Sequence, residues 1–341
     1  MNITTYGVDI AKSVFQIHWI EPQTGEIHRK KLSRAKFAEF FANRRAGRIV
    51  MEGCGGAHHW GRTLTALGHQ VELLPAHQVR AFVTGNKDDA ADARGLWLAA
   101  QHHDIRRVPV KSEQQQAELS VHRVRSHWVS VRTATLNALR GLLYEFGVVL
   151  PKGRAAACNW IAEHRARLDT QLPPQMQRLL EMQLQALREL DAQVALLEEQ
   201  LKAVLRGNEV AKRLADASGI GLMGSTALAA TLGDGSAWRN GREFACCLGL
   251  TPRHTGTGGK VRLGGISKRG DAYLRTVLIH GARNLVRVAN PPQWIGEMLT
   301  RRPPNVVATA VANKLARIAW AMAAHGDKFD PLRAFGARPL T

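Results

Sequence analysis

The chain has 341 residues, of which 45% are apolar, and 47 Lys and Arg against 28 Asp and Glu give it a formal charge of +19 at pH 7. One core rarely grows that large, so two domains and a connector are expected, and the composition excludes wholesale disorder and collagen-like or mucin-like chains. The cationic excess runs through sequence of folded type rather than a tail, which points to a polyanionic partner, nucleic acid being the commonest.

Residues 6–10, 14–20 and 25–32 are short β-rich runs separated by turn residues, which predicts a three-strand meander. A helix follows over 33–44, a fourth strand over 48–52, a helix over 57–67, a fifth strand over 70–74, and a helix near His77. Strands that are first antiparallel and then alternate with helices predict a mixed α/β sheet with helices on its faces, filling 1–110.

From 113 to 146 the pattern is wholly helical, and Pro151-Lys152-Gly153 breaks it. Pro173-Pro174 opens a long helix in which Leu180, Leu187, Val194 and Leu201 recur every seventh position, with Leu190, Leu197 and Val204 as a second row and Gln183 as an interruption. Such a seam predicts a coiled coil, either between chains or folded back on a helix of the same chain; an ordinary amphipathic helix packed on its own domain is the alternative. This helical linker covers 111–207. A mostly helical C-terminal domain follows over 208–330, then a tail over 331–341. Within that domain, Ser218 to Gly224 forms a glycine-punctuated turn between helices, suited either to holding a DNA phosphate in a helix-hairpin-helix or to no ligand at all.

Cys54, Cys158, Cys246 and Cys247 form no CxxC pair and no secretory signal precedes them, so core thiols in a reducing cytoplasm are expected. Apolar runs are broken by charge or glycine, and no membrane span is expected.

The acids of the first region stand in suggestive places for a basic protein. Asp9 lies in the first strand, Glu52 ends the fourth, and Asp88, Asp89 and Asp92 stand together; Asp89 and Asp92, three apart at a helix start, share one face. Such carboxylates supply hard oxygen ligands for one or two Mg²⁺ ions in phosphodiester chemistry. Taken singly, each acid has a plainer reading as a turn cap, an ion-pair partner or a complement to a helix dipole.

The second informative stretch is the run 248–275, where five glycines fall within the ten residues 256–265, among Arg253, Lys260, Arg262, Lys268, Arg269 and Arg275. Glycines let backbone N–H groups approach a ligand and arginines grip phosphate bidentately, so a phosphate cradle is expected, distinct from a Walker loop because no GxxxxGK[ST] occurs. Two hydroxyls, Thr255 and Thr257, lie inside it. Either can attack a phosphodiester and hold the cut strand as an ester, or bond its own backbone as a turn threonine.

Gly7-Val8-Asp9-Ile10-Ala11-Lys12, Met51-Glu52-Gly53-Cys54-Gly55-Gly56 and Lys87-Asp88-Asp89-Ala90-Ala91-Asp92-Ala93 resemble the three acidic motifs of the DEDD transposases of the insertion-sequence one-ten family, eleven-eleven subgroup. Gly249-Leu250-Thr251-Pro252 and Ile266-Ser267-Lys268-Arg269-Gly270 resemble that family's second conserved region, and the similarity spans 3–110 and 215–325. The resemblance implies a ribonuclease-H-like N-terminal domain akin to Holliday-junction resolvases. It implies an Mg²⁺ tetrad of Asp9, Glu52, Asp89 and Asp92, with Asp88 standing where the family more often has a neutral residue. The family nucleophile is a serine; Thr257 stands in its place, with Thr255 as the alternative. The resemblance further implies a transposase or recombinase that joins donor and target DNA under a structured guide RNA (bridge or seek RNA). It implies a homo-oligomer, dimer or tetramer, assembled through the coiled coil, with a site composed of the acidic domain of one protomer and the hydroxyl-bearing domain of another. The expected place is the bacterial cytoplasm, at the nucleoid. Two rival readings are a metal-dependent junction resolvase that uses water and forms no adduct, and a catalytically impaired relative that only binds RNA or DNA.

Overall fold

The computed structural model describes residues 3–83 and 88–336. Asn86 and Lys87, beside the third acidic motif, and residues 337–341 of the expected tail lie outside the described residues. The chain divides into two compact units, Met1–Gln114 and Gln115–Thr341.

The first unit is built on a five-stranded mixed sheet of β1 (Thr5–Ile10), β2 (Val14–Ile20), β3 (Ile27–Ser33), β4 (Arg48–Glu52) and β5 (Gln70–Leu74), in the spatial order β3-β2-β1-β4-β5. The pairs β1–β2 and β2–β3 are antiparallel, whereas β1–β4 and β4–β5 are parallel, as strand–helix–strand crossovers require. Among the described residues four α-helices complete it: α1 (Arg34–Ala42), α2 (Ala57–Ala66), α3 (Ala76–Val79) and α4 (Asp89–Ala100). Alternation along each strand buries both faces. Val8, Ile49, Met51 and Leu73 join Phe37, Phe41, Trp60 and Leu64 of α1 and α2 in one core. Val50 and Leu74, one position out of step, join Leu96, Ala99 and Ala100 of α4 in the other.

Gly7 sets how close α4 comes to the sheet. A Cβ at this position would lie 2.3 Å from the Ala93 carbonyl oxygen and 2.6 Å from the Trp97 nitrogen, so only glycine lets β1 and α4 meet backbone to backbone.

The second unit begins in α5 (Glu113–Tyr144) and continues through α6 (Arg154–Glu163), α7 (Arg165–Gln171) and α8 (Pro174–Gly207). Of the seven-residue seam, Leu180, Leu187, Val194 and Leu201 are buried. Leu180 and Leu187 share a core with Leu136, Leu139 and Leu143 of α5, so this part of the seam packs within the same chain. Arg125 pairs with Glu198 at 2.6 Å and Arg132 with Asp191 at 2.8 Å, so positions advancing along α5 meet positions receding along α8 and the two run antiparallel.

The rest of the unit comprises α9 (Glu209–Ala215), α10 (Leu222–Leu232), α11 (Gly241–Cys247), the antiparallel pair β6 (Pro252–Thr257) and β7 (Lys260–Ile266), then α12 (Ala272–Arg287), α13 (Gln293–Leu299), α14 (Pro304–Ala324) and α15 (Pro331–Phe335). Residues 331–335, expected as tail, thus form a short helix, and Phe335 is buried in the C-terminal core. Among the described residues α14 is the one helix long and apolar enough to cross a membrane; its Val307, Val311, Leu315 and Ala319 instead lie at the centre of that core. All four cysteines are free thiols.

One buried polar cluster ties α5 to α10 and α12. Thr226 donates its hydroxyl to the Leu222 carbonyl at 2.6 Å, which leaves its oxygen to accept from His122 Nε2 at 3.1 Å. His122 Nδ1 therefore accepts from the Tyr273 hydroxyl at 2.8 Å. Burial, helped by the positive charge of Arg125, pushes the imidazole down to about 4, so the ring is neutral at pH 7.

Candidate active site

The sheet register brings the first two acids together. Val8 pairs with Met51 across the parallel β1–β4 ladder, so the next position along sets Asp9 beside Glu52, at the carboxyl ends of adjacent strands. Gly7, Asp9, Val50 and Glu52 share the sheet face on which α4 lies, because side chains alternate with period two. The close approach at Gly7 then carries the start of α4 to the same end of the sheet.

Asp88 is the N-cap of α4, and its Oδ1 accepts from the Ala90 nitrogen at 3.2 Å. Asp89 and Asp92 occupy the first helical turn, on one face. One carboxylate oxygen from each of Asp9, Asp89 and Asp92 lies within 4.8 Å of the others. Glu52 is outside that trio but within electrostatic reach of it. Partial burial, then the charges of Asp92, Asp89 and Glu52, raise the Asp9 carboxyl to about 6. Burial and Asp92 raise Glu52 as well. No Lys or Arg forms an ion pair with any of the four among the described residues. Crowded hard oxygens with no protein counter-charge suit a divalent cation of the Mg²⁺ or Mn²⁺ kind. Cys54 sits beside them, its thiol raised by burial and by Glu52 and Asp9. Sequence reading took it for a core thiol; its place two residues after Glu52 was the available signal.

The hydroxyl-bearing stretch has a different architecture from the expected cradle. Residues 252–266 form a β-hairpin rather than a loop of free backbone donors, with Gly258 and Gly259 at φ of 56° and 81° as its two-residue turn. Every residue of β6 is exposed. Thr255 opposes Arg262 and Thr257 opposes Lys260, so both hydroxyls and both cations project from one face of the ribbon.

The base of the hairpin explains the two motifs flanking it. A Cβ on Gly249 would fall 2.2 Å from the Arg269 carbonyl oxygen, and one on Gly270 would fall even closer to the Cys247 carbonyl oxygen, so the two segments cross with backbones touching. Ser267 and Lys268 nitrogens donate to Thr251 and Gly249 carbonyls at 2.9 and 3.1 Å. Lys268 is the one non-glycine residue with positive φ, 55°, among the described residues, a strained backbone that the crossing enforces. Its side chain and that of Arg269 are exposed. Arg275, expected to grip phosphate, gives a guanidinium N–H to the Leu248 carbonyl at 2.9 Å and staples α12 to this crossing. In the turn between α9 and α10, Gly219 is backed against Gly281 of α12, while Gly221 is exposed at the start of α10.

A family model described as "Transposase IS116/IS110/IS902 family" matches residues 211–295, and a DEDD model of the IS110 type, described as "Transposase", matches residues 6–147. A "Probable family 20 transposase" of Pseudomonas aeruginosa is 45% identical over 337 residues, covering 97% of this chain and 100% of the relative. A "Transposase for insertion sequence element IS1328" of Yersinia enterocolitica is 38% identical over 337 residues, covering 96% and 99%. A "Transposase for insertion sequence element IS1111A" of Coxiella burnetii is 36% identical over 326 residues, covering 94% and 90%.

Proposed function

This chain belongs to the IS116/IS110/IS902 family of DNA transposases, and from that premise we infer that it moves DNA by transesterification with Mg²⁺ bound at Asp9, Glu52, Asp89 and Asp92. The observation that carries the reading is the trio of aspartate oxygens within 4.8 Å of one another, with no ion pair to a cationic side chain among the described residues. The ion, when bound, supplies charge neutralisation at the phosphate and at the departing oxygen. Asp89 and Asp92 are held on one helical face and Asp9 on a strand end, so the ligand set is presented by regular elements rather than loops.

The Thr257 hydroxyl attacks phosphorus. A bond forms between Oγ1 and phosphorus, the bond to the sugar oxygen breaks, the hydroxyl gives up its proton and the departing sugar oxygen gains one. Lys260 opposite Thr257, and Arg262 opposite Thr255, offset the charge that gathers on the non-bridging oxygens; Arg253, Lys268 and Arg269 extend the phosphate-binding surface. The ester conserves the energy of the broken bond for rejoining. The fuller reading adds a ribonuclease-H-like first unit, supported by its mixed sheet, a structured guide RNA that selects donor and target DNA, assembly as a homo-oligomer, dimer or tetramer, through a coiled coil of α8, and a place in the bacterial cytoplasm.

A DNA substrate nicked beside the cleavage point traps the adduct. Wild type and Thr255→Ala are expected to form it, and Thr257→Ala to lose it; the reverse pattern moves the nucleophile to Thr255. A hydrolytic reading, with water as nucleophile, is favoured by one observation: neither threonine hydroxyl has a hydrogen-bond partner among the described residues that would take its proton. Cleavage by both single variants and the double variant, with no adduct in any, would establish that reading instead.

A further inference from the structure

The second unit holds a cavity of about 300 Å³ away from the hairpin, between the last turns of α14 and residues 327–334. Its floor is apolar, formed by Ile318, Ala321 and Met322, and its wall is cationic. Lys314 and Arg317 stand one turn apart on α14 and face it together, with Lys328 and Arg333 opposite. None of these four makes an ion pair among the described residues. Lys314 is half-buried with its ammonium 4.2 Å from the Trp294 ring and 5.5 Å from the Phe335 ring. Burial and the nearby Arg317 charge push that ammonium below the usual lysine range. Two acids share the cavity. The Asp330 carboxylate is engaged, its Oδ1 accepting from the Leu332 and Arg333 nitrogens at 2.9 and 3.2 Å, so Asp327 is the one acid without a hydrogen bond there.

We propose that this cavity binds one nucleotide of a single nucleic-acid strand, its phosphate held by Lys314, Arg317 and Arg333 and its base laid on the half-buried Phe329 of the lining. Two like charges held together without a counter-ion are relieved by a phosphate, and a volume at the small end of ligand pockets admits one nucleotide but no duplex. An aromatic ring beside a cationic wall is how single strands are held without reading sequence. The proposal rests on the reading of this chain as a nucleic-acid-processing enzyme but adds a site apart from its acids and its hairpin.

The test uses the full chain and dye-labelled 12-residue single strands of DNA and of RNA, with a duplex as comparison, titrated by anisotropy at several salt concentrations. Arg317→Gln/Arg333→Gln removes two exposed side chains, so the fold should hold, as an unchanged thermal midpoint will check. Single-strand affinity is expected to fall about 10-fold and the salt slope by about 1.4, while duplex affinity stays within about twofold. Asp327→Asn is expected to tighten single-strand binding. A strand carrying 5-iodouracil should photocrosslink to Phe329. Loss in both arms is the result expected of a site that grips phosphate and ring face, and loss in one arm alone names the strand that enters. Unchanged single-strand affinity in the double variant, or an equal loss on duplex, overturns the proposal. Wild-type protein that binds no nucleic acid overturns the functional reading with it, so the two failures are told apart.

Discussion

Asp9 is held where ionisation is costly, half-buried and facing three other acids. Its carboxyl titrates near 6 rather than 3.8, so between those values the folded chain binds more protons than the unfolded one and stability falls as pH rises. At pH 7 that cost is fully present. Asp9→Asn is therefore expected to raise the thermal midpoint in metal-free buffer at pH 7 and to erase the further rise that Mg²⁺ or Mn²⁺ gives the wild type; calorimetry with and without the ion checks both. Gly7 is the second residue on which the site depends. Gly7→Ala places a methyl group against the Ala93 carbonyl, which is expected to cost about 1–3 kcal/mol and to part Asp9 from Asp92, with strand transfer lost more completely than stability. Gly55→Ala, where nothing stands within 4 Å, is the control and should behave as wild type. The acids were legible in the sequence because strand ends and helix starts leave local signatures. The Gly7 contact was not, since it depends on which helix crosses which strand.

Elements with strong periodicity could be read directly. The five strands and the long helices follow the alternation and the seven-residue rows closely, and Leu180 and Leu187 are buried where the seam put them. Leu187→Ala, at 2% exposure in the core shared by α5 and α8, is expected to destabilise by about 2–4 kcal/mol in denaturant unfolding. The hairpin escaped because Val261 and Leu263 are the only apolar side chains between Arg253 and Gly265, too short an alternation to mark two strands in hydrophobicity. The His122 cluster escaped for another reason: its partners Thr226 and Tyr273 are 104 and 151 positions away. Since His122 is neutral in the fold and titrates near 4 instead of 6.5, its contribution is complete above 6.5 and drains away as pH falls toward 4. His122→Ala is expected to cost about 2–4 kcal/mol at pH 7 and to flatten the acid limb of a stability–pH profile over that window.

For the molecule as a whole, a charge of +19 sets the terms on which it meets a polyanion. Binding to duplex DNA should weaken steeply with salt, and Lys260→Gln/Arg262→Gln is expected to reduce the slope of log K against log salt by about 1.8, measured by the same titration on long duplex. Composition announced this property, whereas the placing of the charge did not follow from it: Arg48, Arg107, Arg125 and Arg132 are engaged with Glu72, Glu198 and Asp191, while Lys260, Arg262, Lys268 and Arg269 make no ion pair among the described residues. Part of the unpaired charge thus stands around the strand that bears the alcohols.

That ribbon has only two strands and no core of its own, a construction of marginal stability in water. If DNA docks on the ribbon as proposed, part of the free energy released is therefore spent on fixing it. On the reading proposed above, shortened substrates are expected to react slowly even when saturating, because they supply less docking energy to fix the ribbon.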